Sequence, residues 1–275
     1  MKTKTYIITG ASSGIGNAIL KKLADDNIIF AGYRNKEHLE ELQKISANIY
    51  PFYIDYTKPE TIKYAAEYIV SKCTKVDTLI NVAGCVVAGP LECISINEIR
   101  RQFDVNVFGH IEFTQNLLEI LRDGKIINIS SMASYGLFPF ISPYCASKSC
   151  LDTFFNLFEI ENKHNIRVVS IKPGVISTPL WAKSIKENTS ILDNCYGYTE
   201  EMRCVVANAM QNERCGLNVD KVVNAVLKAD RVKNPRYSYT VGKDALVAKL
   251  VSVLPLKIKN ILVKWQLKKK MMSKN

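Results

Sequence analysis

Tyr144 and Lys148 stand four residues apart in Tyr144-Cys145-Ala146-Ser147-Lys148. On a helix that spacing puts the phenol and the ammonium on one face. A cation beside a phenol stabilises the phenolate and draws its pKa from about 10 towards neutrality, where it serves as a general acid or base. Alone, such a pair is common on solvated helix faces. Here the apolar run Lys125 to Ile129 ends in Ser130-Ser131, shortly before the tyrosine. A hydroxyl donor aimed at a developing oxyanion stabilises a transition state.

A second group of residues could hold phosphate. Thr9-Gly10-Ala11-Ser12-Ser13-Gly14-Ile15-Gly16 lies between an alternating apolar segment and a run with Ile15, Ile19 and Leu23 at helical spacing. Glycines let the backbone approach a pyrophosphate closely, and the free N–H groups of a helix start attract its charge. The packing-only reading of such a turn is a tight strand-to-helix connection.

These groups need a scaffold. Short runs rich in Ile, Val, Tyr and Phe predict strands over 5–9, 28–32, 48–54, 77–81, 125–130, 166–172 and 237–241, with helices between them. The expected fold is therefore α/β, a Rossmann-type doubly wound parallel sheet of about seven strands. Residues 1–242 are expected to form one dinucleotide-binding and catalytic domain, and 243–275 a basic amphipathic extension. Residues 177–216 break the rhythm with polar clusters and Pro179, which reads as an irregular substrate lid beyond a strand end.

Composition narrows the classes. The apolar fraction of 47% and charged fraction of 23% are those of an ordinary globular protein. Eight cysteines include no CxxC pair, and His38, His110 and His164 show no ligand spacing, so reduced thiols and no metal are expected. The N-terminus runs straight into the first strand, without a leader pattern, and no long apolar run predicts a spanning helix. The expected location is the cytoplasm. Of the net charge of +11, nine lysines against Asp244 place +8 from residue 243 onward. A nucleic-acid surface would spread its cations over a groove-facing element, so no nucleic-acid partner is expected.

With four motifs in order, the chain resembles the short-chain dehydrogenase/reductase family over essentially residues 3–242. The TGxxxGIG turn is complete, and the family's NNAG appears as Asn81-Val82-Ala83-Gly84, with Val82 the departure. The family's catalytic Asn, Ser, Tyr and Lys match Asn106, Ser131, Tyr144 and Lys148, with Ser130 the competing serine that the spacing disfavours. The resemblance implies that Tyr144 exchanges a proton with the substrate oxygen and that Ser131 orients it. Lys148 would depress the tyrosine pKa and hold the nicotinamide ribose, and Asn106 would hold a relay water. It also implies cofactor contacts from Gly10, Ser12, Ser13, Gly14, Ile15, Gly16, Asn81, Ala83 and Gly84. In Pro173-Gly174-Val175-Ile176-Ser177-Thr178, Val175 or Ile176 would bond the carboxamide through its backbone, with Thr178 assisting. Asp55 resembles the acid that contacts adenine, and otherwise reads as a turn aspartate.

An acid at the end of the second strand would bond a ribose 2′-hydroxyl, whereas an arginine accommodates a 2′-phosphate. Tyr33 stands at that place and Arg34 follows, so the expected cofactor is NADP(H). The implied activity is hydride transfer between nicotinamide and a small-molecule carbonyl or secondary alcohol. The alternative is a non-catalytic NADP(H)-binding sensor or scaffold. The order of motifs after Pro173 is similar to a branch with hydroxysteroid and retinol dehydrogenases and acyl-dihydroxyacetone-phosphate reductases, implying apolar or lipid-like substrates. Finally, Leu254, Ile258, Ile261, Leu262 and Trp265 recur at helical spacing with lysines on the flanks. That stripe reads as docking on the protein's own lid or on a second copy, or as peripheral contact with an anionic membrane.

Overall fold

β-Branched and aromatic runs with both faces apolar form the centre of the protein, as expected of parallel strands covered on both sides. The strands are β1 (Thr5–Ile8), β2 (Ile28–Tyr33), β3 (Ile49–Tyr53), β4 (Thr78–Asn81), β5 (Lys125–Ile129), β6 (Arg167–Pro173) and β7 (Ser238–Val241). They pair in parallel in the order β3-β2-β1-β4-β5-β6-β7. Each lies within one residue of its predicted ends. The structure, a computed structural model, describes residues 3–136, 138–193, 195 and 197–272.

Between and after the strands come α1 (Gly14–Leu23), α2 (Leu39–Gln43), α3 (Pro59–Lys72), α4 (Ile96–Phe103), α5 (Gly109–Gln115) and α6 (Ser142–Glu161). They are followed by α7 (Leu180–Glu187), α8 (Thr189–Asp193), α9 (Thr199–Cys215), α10 (Asp220–Arg231), α11 (Lys243–Ser252) and α12 (Leu256–Met272). Side chains alternate across each strand. Tyr6 and Ile8 of β1 pack with α1 and α10, and Ile7 packs with α3, α5 and α6, which gives a core on each face of the sheet.

The order reverses at β1, whose neighbours are β2 and β4, so the crossovers diverge and leave a crevice at the carboxyl ends of the strands. Two glycines fix its floor. Gly10 has φ +63°, and a Cβ there would sit 3.0 Å from the Ala83 backbone. At Gly16 a Cβ would come within 2.2 Å of the Gly10 carbonyl oxygen, so any side chain would push helix α1 off the turn.

The lid corrects the sequence reading: 177–216 is largely helical, as α7, α8 and α9. These helices lie over the crevice, and long-range bonds hold them. Asn188 accepts from the Ala88 N–H at 3.0 Å and donates to the Val86 carbonyl at 2.8 Å, and a local bond from the Trp181 indole to the Ile176 carbonyl at 2.8 Å fixes the start of α7. All eight cysteines are free thiols.

Candidate active site

The crevice is a cleft of about 1240 Å³ that brings together Gly10, Ser12 to Ile15, Tyr33, Arg34, Asp55, Ala83, Gly84, Ser130, Ser131, Tyr144, Lys148, Pro173 to Ile176 and Thr178. That exceeds the roughly 300–1,000 Å³ of a site for one small ligand and leaves room for a dinucleotide with a substrate beside it.

At its deep end α6 presents Tyr144 and Lys148 on one face, as their spacing requires. Tyr144 and Ser131 both line the cleft there, and Ser131 Oγ accepts the Ala133 N–H at 3.0 Å. Ser130, the competing serine, is buried, and its Oγ has no partner in the protein. Lys148 Nζ is buried, donates to the Ile129 carbonyl at 3.0 Å and lies 5.9 Å from the centre of the Tyr144 ring. Burial pushes the Lys148 pKa down to about 8, against the pull of Asp152. The expected depression of Tyr144 by Lys148 is corrected: burial dominates and pushes the phenol up to about 12, opposed by the nearby Ser131 hydroxyl. The chain by itself therefore holds a neutral phenol, the form a proton donor needs.

Asn106 also departs from expectation. It lies in a π-helical turn (Asp104–Phe108) between α4 and α5, a local widening frequent at functional sites. Its Nδ2 donates to the Cys85 carbonyl and to Ser147 Oγ, both at 3.1 Å, and its Oδ1 accepts the Cys85 N–H at 3.0 Å. With both amide hydrogens used inside the protein, the side chain clamps the loop after β4 and does not cradle a water through both its groups.

The cofactor residues divide similarly. Helix α1 begins with no acid in its first turn, and the side chain of Ser13, its N-cap, makes no capping bond, so its leading N–H groups face the cleft unneutralised and fit a pyrophosphate. Asn81 is a correction: it is buried under the loop and donates to Asn128 Oδ1 at 2.9 Å, away from the cleft. Gly16 likewise does not line the cleft and serves the packing of the turn. Val82 leaves the loop bonding intact, because the bonds are made by backbone: the Val82 and Ala83 N–H groups donate to Thr9 Oγ1 at 3.0 and 3.3 Å. Asp55 faces the cleft while one carboxylate oxygen accepts from the Thr57 N–H and hydroxyl at 3.0 and 2.8 Å, so it is also a turn aspartate.

Both backbone groups of Val175 are engaged. Its N–H donates to Asp244 Oδ2 at 2.6 Å, and its carbonyl accepts from the Leu217 N–H at 2.9 Å. Among the described residues the Ile176 N–H has no partner, so of the two it is the amide open to a carboxamide.

A family model for short chain dehydrogenases matches residues 4–189. The chain belongs to the short-chain dehydrogenase family. It is 31% identical to the NADPH-dependent 3-dehydrocapnine reductase of Ornithobacterium rhinotracheale, over 90% of this chain and 91% of that one. It is 29% identical to the 3-ketodihydrosphingosine reductase of Bacteroides thetaiotaomicron, covering 93% and 94% of the two chains. A short chain dehydrogenase from Burkholderia cenocepacia, solved in complex with NADP, shares the fold with a TM-score of 0.70 at 24% identity, over 92% of this chain and 94% of its own. The protein is an oxidoreductase of the CH–OH/C=O type.

Within this short-chain dehydrogenase, three residues near the site escaped the sequence reading. His110, singled out in the sequence only for lacking ligand spacing, is buried against Tyr56 with Nε2 2.9 Å from the Ala83 carbonyl. Burial pushes its pKa down to about 3, so the neutral ring donates and holds the cofactor loop. Its place four residues after Asn106, on the same side of the chain's turn, was the available signal. Glu187 on the lid lies 3.6 Å from Arg34, and Asp244 reaches back from the C-terminal extension to Val175. Both are long-range and left no local signal.

Proposed function

We propose that the protein transfers hydride between NADP(H) and the carbonyl or secondary alcohol of an apolar, lipid-like small molecule, with Tyr144 as general acid/base. The observation that carries this reading is the meeting of Tyr144, Ser131 and Lys148 at the deep end of a cleft whose other end holds Arg34. NADP(H) is favoured over NAD(H) because no acid stands at the end of β2, where Tyr33 is followed by a guanidinium. A relative named NADPH-dependent and a neighbour solved with NADP support the same choice.

NADPH would lie on the α1 N-terminus, with Arg34 at the 2′-phosphate, Ala83 and Gly84 beneath it, Lys148 at the ribose and the Ile176 N–H and Thr178 at the carboxamide; bound there, it supplies the hydride. The protein's own part is proton and charge management. Ser131 Oγ donates to the substrate oxygen and polarises the carbonyl. Tyr144 Oη gives that oxygen its proton as negative charge develops, and the Lys148 ammonium stabilises the resulting phenolate. Asn106 and His110 position the loop after β4 from below. The lid excludes water and offers Trp181 and Val205, which with Phe140 and Leu267 make an apolar wall suited to an acyl or polycyclic body. Two relatives named as reductases of a 3-dehydro and a 3-keto compound agree with a ketone substrate.

A non-catalytic sensor is disfavoured, since the side chains for each chemical role are present in one cleft. The deciding experiment is NADPH oxidation by the purified protein with a panel of short- and long-chain ketones. Ketone-dependent oxidation is expected, faster with the apolar members. Tight NADPH binding with no oxidation by any ketone would favour the sensor. No helix among the described residues is long and apolar enough to cross a membrane.

A further inference from the structure

The last two helices turn their apolar residues outward. In α12 the side towards the protein is made by Lys259, Val263 and Leu267, half-buried and at i, i+4 and i+8, and Val263 and Leu267 form part of the cleft wall. At 3.6 residues per turn, Ile258, Ile261 and Trp265 fall on the opposite side, and Leu262 on the flank between. All four are exposed, Trp265 by 62%. Thus the stripe seen in the sequence does not dock on the protein's own lid; the other face of the helix does. In α11 Ala245 and Ala248 are the buried pair, whereas Leu250 and, just beyond the helix, Val253 are 71% and 81% exposed.

Exposed apolar side chains on two consecutive helices mark an interaction surface. Charge selects the partner. Lys249, Lys257, Lys264 and Lys268 are exposed around the stripe, and Asp244, the one acid from residue 243 onward, is engaged with Val175. A second copy would set two such lysine groups against each other. An anionic bilayer satisfies both features, with the apolar side chains among the headgroups, Trp265 at the interface and the ammonium groups among phosphates. We infer that the outward face of α11 and α12 seats the protein on an anionic lipid surface. Because the inward face of α12 walls the cleft, the seated protein holds the cleft mouth near the lipid. That consequence rests on the apolar substrate proposed above, whereas the seating itself does not.

The test uses the full chain with vesicles of phosphatidylcholine alone or mixed with phosphatidylserine. The protein is expected to sediment with the mixed vesicles at low salt and to be released as salt rises. Ile261→Asn with Trp265→Asn, and separately Lys257→Gln, Lys264→Gln and Lys268→Gln together, should each reduce the sedimented fraction at least tenfold. NADPH binding, followed by nicotinamide fluorescence, should stay at the wild-type level in both variants and reports their folding. No sedimentation of the wild type, or equal sedimentation with neutral vesicles, overturns the inference. So does a wild-type dimer in gel filtration that Ile261→Asn with Trp265→Asn converts to monomer without any vesicle binding, which would assign the stripe to a second copy. None of these readouts needs turnover, so their failure is separable from failure of the proposed activity.

Discussion

The Arg34 guanidinium lies 3.6 Å from the Glu187 carboxylate, joining the end of β2 to the lid helix α7 across the cleft. Glu187 is shared with Arg101 at 3.7 Å and Lys183 at 3.8 Å. A 2′-phosphate held by Arg34 meets this carboxylate as a like charge. Glu187→Gln keeps the shape and removes the charge, so the Kd of NADPH is expected to fall while that of NADH holds. The Arg34 side chain is 45% exposed, and exposed pairs are worth up to about 1 kcal/mol, so the change should be about fivefold at most. Parallel fluorescence titrations measure it. Weaker NADPH binding in Glu187→Gln would show instead that Glu187 orders Arg34 for the phosphate.

Arg34→Asp, with Tyr33 retained, exchanges a phosphate partner for a ribose partner. The ratio of kcat/KM for NADPH over NADH is expected to drop and to cross towards NADH. An unchanged ratio would place the phosphate elsewhere.

Tyr144→Phe keeps the ring and deletes the proton. Turnover with the best ketone of the panel is expected to fall about 10²- to 10⁴-fold while NADPH affinity stays near wild type, the usual weight of a general acid/base group. Retention of more than about a tenth of the activity would remove Tyr144 from that role.

Burial lowers the Lys148 pKa from 10.5 to about 8, so the ammonium is present below that pH and is lost as pH rises through it. The ammonium is the form that stabilises the Tyr144 phenolate. For carbonyl reduction, kcat/KM should therefore decline above about pH 8, and Lys148→Arg, which keeps its charge, should carry the decline to higher pH in whatever activity remains. A limb that does not move with this substitution belongs to another group.

The strands were legible because Ile, Val and Tyr runs between helical periods have one stable arrangement, and the Tyr144–Lys148 face follows from spacing alone. The lid's helical state was not legible, since bonds from Asn188 to Val86 and Ala88, about a hundred residues away, hold it. Asn81 misled because a motif gives neighbours in sequence, while its side chain turns inward to Asn128. The C-terminal helix carries two apolar stripes, one through Ile258 and Trp265 and one through Val263 and Leu267. Periodicity pointed to the first, and the second came to light only where the structure turns it towards the cleft.

Asp244 gives the last prediction. Its carboxylate accepts the Val175 N–H at 2.6 Å, and the Gly174 N–H beside it donates to the Val241 carbonyl at 2.8 Å, so β7 and the start of α11 fix the loop that presents the Ile176 amide. Asp244→Ala removes the acceptor and leaves Val175 unpaired. Hydrogen bonds of this kind contribute about 1 kcal/mol net, which corresponds to a roughly fivefold rise in KM for NADPH with a smaller change in kcat. Asp244→Asn retains an acceptor oxygen at the same place and should restore most of the loss. If Asp244→Ala lowers Tm but leaves KM for NADPH unchanged, the bond is part of the fold and has no hold on the cofactor. If Asp244→Asn fails to rescue, the negative charge matters and the single hydrogen bond does not.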